Sequence, residues 1–155
     1  GPGDSMGIFF FFFGMEYPTD AVSMNDGMAG IFVDSDAILK FSEKYPRLAG
    51  PLRVEIGRFT EAFIQKIEIV SAGAVPQRLA VLMTMLIDRY GVDKKGNKAR
   101  LPITLTLEQL SEIIGVRLET VARTLSGWKR AGWLAIDSEG CHFARLDKVR
   151  ELLPD

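Results

Sequence analysis

Leu105-Thr106-Leu107-Glu108-Gln109-Leu110-Ser111-Glu112-Ile113-Ile114-Gly115-Val116-Arg117-Leu118-Glu119-Thr120-Val121-Ala122-Arg123-Thr124-Leu125, continued by Ser126-Gly127-Trp128-Lys129-Arg130-Ala131-Gly132-Trp133-Leu134, decides how this chain folds. Thr106 with Gln109 three residues on is a capping box, in which the hydroxyl accepts from one orphan N–H and the amide accepts from another. Leu107, Leu110, Ile113 and Ile114 follow at helical spacing, and Gly115 breaks the helix. A second helix is expected over residues 118–130, ending before Gly132. Wound at about 100° per residue, it gathers Val121, Thr124, Leu125 and Trp128 on one arc and Glu119, Ala122, Arg123 and Ser126 on the opposite one. The first arc is a core stripe and the second is short or polar.

Residues 133–136 and 141–145, separated by Ser138-Glu139-Gly140, read as a hairpin, and Leu146, Val149, Leu152 and Leu153 as a last short helix. Helix, glycine turn, helix and hairpin is the order of a winged helix-turn-helix, whose second helix rests on its own domain while entering a major groove. Glu119 and Arg123 stand four residues apart. As a surface pair they are worth a few tenths of a kcal/mol; in a groove the carboxylate accepts from cytosine N4 and the guanidinium donates to guanine N7 and O6. Ala122 between them leaves room for a thymine methyl. Thr104, Thr106, Ser126, Lys129, Arg130, His142 and Arg145 are donors suited to backbone phosphates. His142 has no ligand set around it in sequence and is otherwise a lone strand histidine, while Trp128 and Trp133 are expected to close the core.

Upstream, residues 101–105 read as a short strand and 92–99 as a solvated loop. A helix opens at Pro76 and buries Leu79, Leu82, Met83, Leu86 and Ile87 before Tyr90-Gly91 ends it. Ser71-Ala72-Gly73-Ala74 is a small-residue hinge. Before it, Leu52, Ile56, Phe59, Phe63, Ile67 and Val70 form one apolar stripe down a long helix, which either packs on its own domain or pairs with a second copy. A helix over residues 36–44, with Ser35 as N-cap, precedes it. Residues 1–33 have the texture of short strands: the run Ile8-Phe9-Phe10-Phe11-Phe12-Phe13, then 17–24 and 28–33 about an Asn25-Asp26-Gly27 turn.

At 155 residues, 47% apolar and 25% charged, the chain falls in the soluble globular class, with length for one domain or two small ones. The formal charge of −1 hides an asymmetry, with residues 1–75 near −4 and residues 76–155 near +3. The one cysteine, Cys141, forms no internal disulfide and holds no metal alone. The phenylalanine run is far below the roughly 20 residues that span a bilayer, and residues 1–7 carry no basic leader. No membrane partner and a cytoplasmic location are expected. Without a P-loop, nucleophile elbow or clustered ligands, enzyme activity is the weakest class. A protein-binding winged helix used as a scaffold stays open beside DNA binding.

The stretch 105–134 resembles the helix-turn-helix signature of the Crp/Fnr family of bacterial transcription regulators, and Pro76-Gln77-Arg78-Leu79-Ala80 resembles the start of the family's helix leading into that domain. Gly3-Asp4-Ser5-Met6-Gly7 is similar to a turn of the family's sensor barrel, and residues 17–24 to the strand after it. The resemblance implies an α+β chain: a partial jelly-roll, cyclic-nucleotide-binding-like sensor over residues 1–45, a dimerisation helix over 46–71 with the six-residue stripe as its seam, and a winged helix-turn-helix over 72–155. It implies the C-terminal part of a longer polypeptide, a homodimer on a palindromic operator, and RNA polymerase as a candidate partner. Glu119 and Arg123 match the family's reading residues. Leu118 stands where the cyclic-AMP-responsive branch has an arginine, which points to the Fnr-like branch and TTGAT-like half-sites. Arg117 stands where Ser or Thr usually caps the helix, leaving an N–H for water or phosphate. Ile8 and Pro18-Thr19 replace the phosphate-holding glutamate and arginine pair, so a cyclic nucleotide is not the expected effector. No cofactor is expected within this stretch of chain.

Overall fold

The computed structural model describes residues 5–23 and 27–154. It divides into two compact units, residues 1–63 and 64–155.

In the first unit, α1 (Ile8–Phe12) replaces the strand expected from the phenylalanine run. Gly7, in the left-handed region at φ 81°, opens it, and Phe11 N–H donates to Gly7 O. With no strand beside it among the described residues of this unit, the main chain satisfies itself within one helical turn. The rings then gather on aromatic neighbours: Phe9 stacks on Phe59 at 4.9 Å and Phe10 meets Tyr17 edge-on at 5.3 Å. Residues 17–23 and 28–33 are also not strands, and of the expected turns Gly3, Asp4, Asn25 and Asp26, with Met24, lie outside the described residues.

α2 (Ser35–Lys44) takes Asp34 rather than Ser35 as its N-cap, the carboxylate accepting from Ala37 N–H at 3.0 Å. An ionised carboxylate also answers the positive end of the helix, which a hydroxyl does less well. Pro46–Leu48 is a single 3-10 turn, and α3 (Ala49–Ser71) is the long helix, 23 residues, on which the contact division between the units falls.

The second unit holds the core. α4 (Val75–Tyr90) buries Leu79, Ala80, Val81, Leu82, Met83 and Ile87. Gln77 Oε1 accepts from Ala74 N–H at 2.8 Å, one half of a capping box. α5 (Leu107–Ile114) and α6 (Leu118–Arg130) follow, and α7 (Leu146–Arg150) closes the unit through buried Leu146 and Val149. Around them runs an antiparallel sheet of order β1-β2-β4-β3, with β1 Val92–Lys95, β2 Lys98–Leu101, β3 Leu134–Asp137 and β4 Gly140–Phe143.

The loop expected over residues 92–99 is therefore a hairpin, closed by the two residues Gly96-Asn97 between the facing pair Lys95 and Lys98. β1 gives no alternation to read, being exposed along its whole length, whereas β2 alternates Lys98 and Arg100 with buried Ala99 and Leu101 over only four residues. The strand expected at 101–105 ends at Leu101, since Pro102 has no N–H to continue the ladder. Gly140, at φ 126°, enters β4 where a Cβ would lie 2.1 Å from Leu101 O. The architecture is α+β: a long helix, then a helix-turn-helix with an incomplete sheet as its wing.

Candidate nucleic-acid interface

The first helix of the pair is held at both ends. Thr106 Oγ1 accepts from Gln109 N–H at 3.2 Å and Gln109 Oε1 accepts from Thr106 N–H at 2.9 Å, as the spacing predicted. At its C-terminus Gly115 takes φ 68°, and the orphan carbonyls receive cations from a distance. Lys66 Nζ donates to Glu112 O at 3.0 Å and also to Ile113 O; Arg78 donates to Gly73 O at 2.9 Å and to Ile114 O at 3.4 Å. Sequence reasoning missed both residues, because contacts 36 to 47 positions apart leave no periodic signal.

The turn between α5 and α6 delivers the second helix with one face inward. Val121, Leu125 and Trp128 are buried, and Trp128 lies 5.9 Å from Trp133. Burying such side chains contributes about 1.5–3 kcal/mol each. Glu119, Arg123, Ser126, Lys129 and Arg130 are exposed, with Ala122 half-buried between them. Among the described residues Glu119 and Arg123 make no ion pair with each other and have no other hydrogen-bond partner, so both heads are free to meet a ligand. Arg117 is the N-cap without a side-chain cap bond, leaving N–H groups at the start of α6 open.

The remaining sequence candidates separate into two groups. Thr104 and Thr106 are exposed just before and at the start of α5. The two wing residues already have partners. His142 Nε2 lies 3.1 Å from Asp137 Oδ1, and Arg145 meets Asp147 at 2.8 Å, so contact with phosphate would exchange a carboxylate for a phosphate oxygen. The Glu139 N–H and then the His142 ring hold Asp137 below the usual carboxylate range. Burial pushes the Cys141 thiol up to about 12, an inert core group. Among the described residues no three His, Cys, Asp or Glu side chains are grouped to hold a metal, and no helix is long and apolar enough to cross a membrane.

Residues 77–152 match the family model of the Crp-like helix-turn-helix domain. The match spans just under half of the chain. Over 139 residues the chain is 23% identical to the CRP-like cAMP-activated global transcriptional regulator of Mycobacterium tuberculosis, covering 90% of this chain and 61% of that protein. It thus spans about three fifths of the length of the curated relatives it matches. Its fold is similar to that of a CooA mutant from Carboxydothermus hydrogenoformans, at TM-score 0.65 and 18% identity over 76% of this chain and 54% of the other. FixK2 from Bradyrhizobium japonicum is similar at TM-score 0.63 and 15% identity, over 79% and 60%. The matched residues take in the helix pair α5 and α6.

Proposed function

We propose that this chain is part of a dimeric, sequence-specific transcription regulator of the Fnr-like branch that reads an inverted repeat of TTGAT-like half-sites under control of an effector. The observation that carries the reading is the α6 surface, where Glu119 and Arg123 stand exposed and unpaired while the opposite face packs on the core. Glu119 accepts from a cytosine and Arg123 donates to a guanine, with Ala122 beside a thymine methyl. Arg117, Thr104, Thr106, Ser126, Lys129, Arg130, His142 and Arg145 serve the backbone, which positions without specifying. RNA polymerase is the expected partner of the DNA-bound form.

Residues 1–45 are read as the end of the sensor, supported by a relative's alignment that covers 90% of this chain and so extends well upstream of residue 77. The curated relative is named as cAMP-activated. In this chain Ile8, Pro18 and Thr19 bring no cation to a cyclic phosphate, which supports a different effector. The seam of the dimer is assigned to the α3 stripe of Leu52, Ile56, Phe59, Phe63, Ile67 and Val70, within a dimerisation segment over 46–71 that leads to the DNA-binding unit over 72–155. Phe63 and Ile67 are 59% and 49% exposed and ready for a second copy, whereas Phe59 already stacks on Phe9.

Binding selections on a randomised inverted repeat at fixed salt test the reading for the parent, Glu119→Ala, Arg123→Ala and Leu118→Arg. Arg123→Ala is expected to lose about 1–3 kcal/mol at the guanine pair and Glu119→Ala to relax the cytosine. Leu118→Arg should move the preference toward a GTG-like element. Identical motifs from all four proteins would sink the base-reading assignment and favour a protein-binding wing.

A further inference from the structure

The carbonyls of Glu112, Ile113 and Ile114, the last three of α5, all accept from side-chain cations that lie outside the helix pair. Lys66 on α3 serves the first two and Arg78 on α4 the third. The N–H groups of Gly115 and Val116 both turn back to Ser111 O, the second at 3.1 Å. A helix that ends this way keeps orphan carbonyls at its negative pole, and a cation is the partner that suits them.

Arg78 also reaches in the other direction. Its Nε donates to Gly73 O at 2.9 Å, and Gln77 Oε1 accepts from Ala74 N–H at 2.8 Å, so the short turn between α3 and α4 is pinned by the first residues of α4. On α3, Val70 stands one turn beyond Lys66 on the same side, and a Cβ added to Gly115 would lie 3.9 Å from Val70 Cγ1. Ile69 and Ala72 are buried beside them. The end of α3 therefore meets the α5–α6 turn through both a cation and an apolar contact. Only Gly115, Val116 and Arg117 separate α5 from α6, so where α5 ends fixes where α6 begins.

We infer that Lys66 and Arg78 are positioning residues for DNA reading, which fasten the α5–α6 turn to the end of α3 and so set the separation of the half-sites that two copies of α6 occupy together. The inference rests on the dimeric reading proposed above, in which α3 carries the seam. The bonds to residues 112–114 then join the helix that pairs the copies to the helices that read. One base pair more or fewer between the half-sites shifts the second by about 3.4 Å along the duplex and by about one tenth of a turn around it. A fastened turn follows that shift only by breaking a charge-assisted bond, whereas a loose one follows it by reorienting. Base identity within each half-site belongs to Glu119 and Arg123 and does not pass through Lys66.

The test measures binding to inverted repeats that keep the selected half-site while the spacer is shortened or lengthened in single base-pair steps, for the parent, Lys66→Met, Lys66→Arg and Arg78→Met at fixed salt. For the parent, a spacer one base pair from the preferred length should weaken binding by about tenfold or more, the scale of one charge-assisted hydrogen bond. In Lys66→Met and Arg78→Met that penalty should fall to about three-fold or less, with the selected half-site sequence unchanged. Lys66→Arg still brings a cation to the carbonyls and should keep the parent's spacer profile. Lys66 is exposed and its methionine variant keeps the length of the stem, so the test stands if Arg78→Met folds poorly. Weakening by the same factor at every spacer, with the profile intact, would make the bonds merely structural and overturn the inference, as would Lys66→Arg behaving like Lys66→Met. A parent that selects half-sites but accepts every spacer overturns it while the reading by α6 stands. A parent that selects no half-site removes that reading, and the inference with it.

Discussion

At Gly140 a single hydrogen atom decides whether the wing closes. The strand must turn at φ 126° and pass so near Leu101 O that a Cβ would sit 2.1 Å from it, against backbone that has no side chain to swing away. Gly140→Ala combines left-handed strain with a steric clash and should cost about 3 kcal/mol in denaturant unfolding. A loss below about 0.5 kcal/mol, the scale of an ordinary surface change, would mean that β4 can move off Leu101. Gly115 shares the left-handed conformation at φ 68°, but the nearest atom to its Cβ would be Val70 Cγ1 at 3.9 Å, so there only the backbone strain applies. Both glycines are visible in sequence as turn signals. Their different severity is not, because it depends on which strand passes by.

Among the elements, α5 and α6 were legible in full: Thr106 and Gln109 close the capping box, Gly115 ends α5, and α6 runs from Leu118 to Arg130 as the spacing required. Thr106→Ala removes the accepting oxygen and strands Gln109 N–H, and should destabilise the second unit by about 1 kcal/mol, read as a lower thermal midpoint. An unchanged midpoint would show that Lys66 and Arg78, bound at the far end of α5, hold the helix without its cap. The elements misread were those whose form depends on a neighbour. A phenylalanine run is compatible with a strand when partner strands cover it, yet here it coils into α1 and stacks on Phe59. β1, polar and exposed, forms because β2 supplies its hydrogen bonds, a fact that no periodicity within β1 records.

At the scale of the whole molecule, α3 leaves Phe63, Ile64 and Ile67 between 49% and 59% exposed, three large apolar side chains close together on one helix. Phe63→Glu/Ile67→Glu would place two charges in the proposed seam, and sedimentation equilibrium is expected to report a dimer for the parent and monomers for the variant. A dimer that survives both charges has its interface elsewhere. The local code of caps, glycine turns and 3.6-residue stripes by itself determined the helix-turn-helix, the core face of α6 and the free arc bearing Glu119 and Arg123, because each of these is settled by residues within about one helical turn of one another. Tertiary structure alone decided that Lys66 and Arg78 fasten the end of α5, that Phe59 turns to Phe9, and that Lys98 and Arg100 join Lys129 in one basic groove. Those outcomes depend on chain segments that meet only after folding, where the available partner, rather than the residue's own preference, sets the lower free energy.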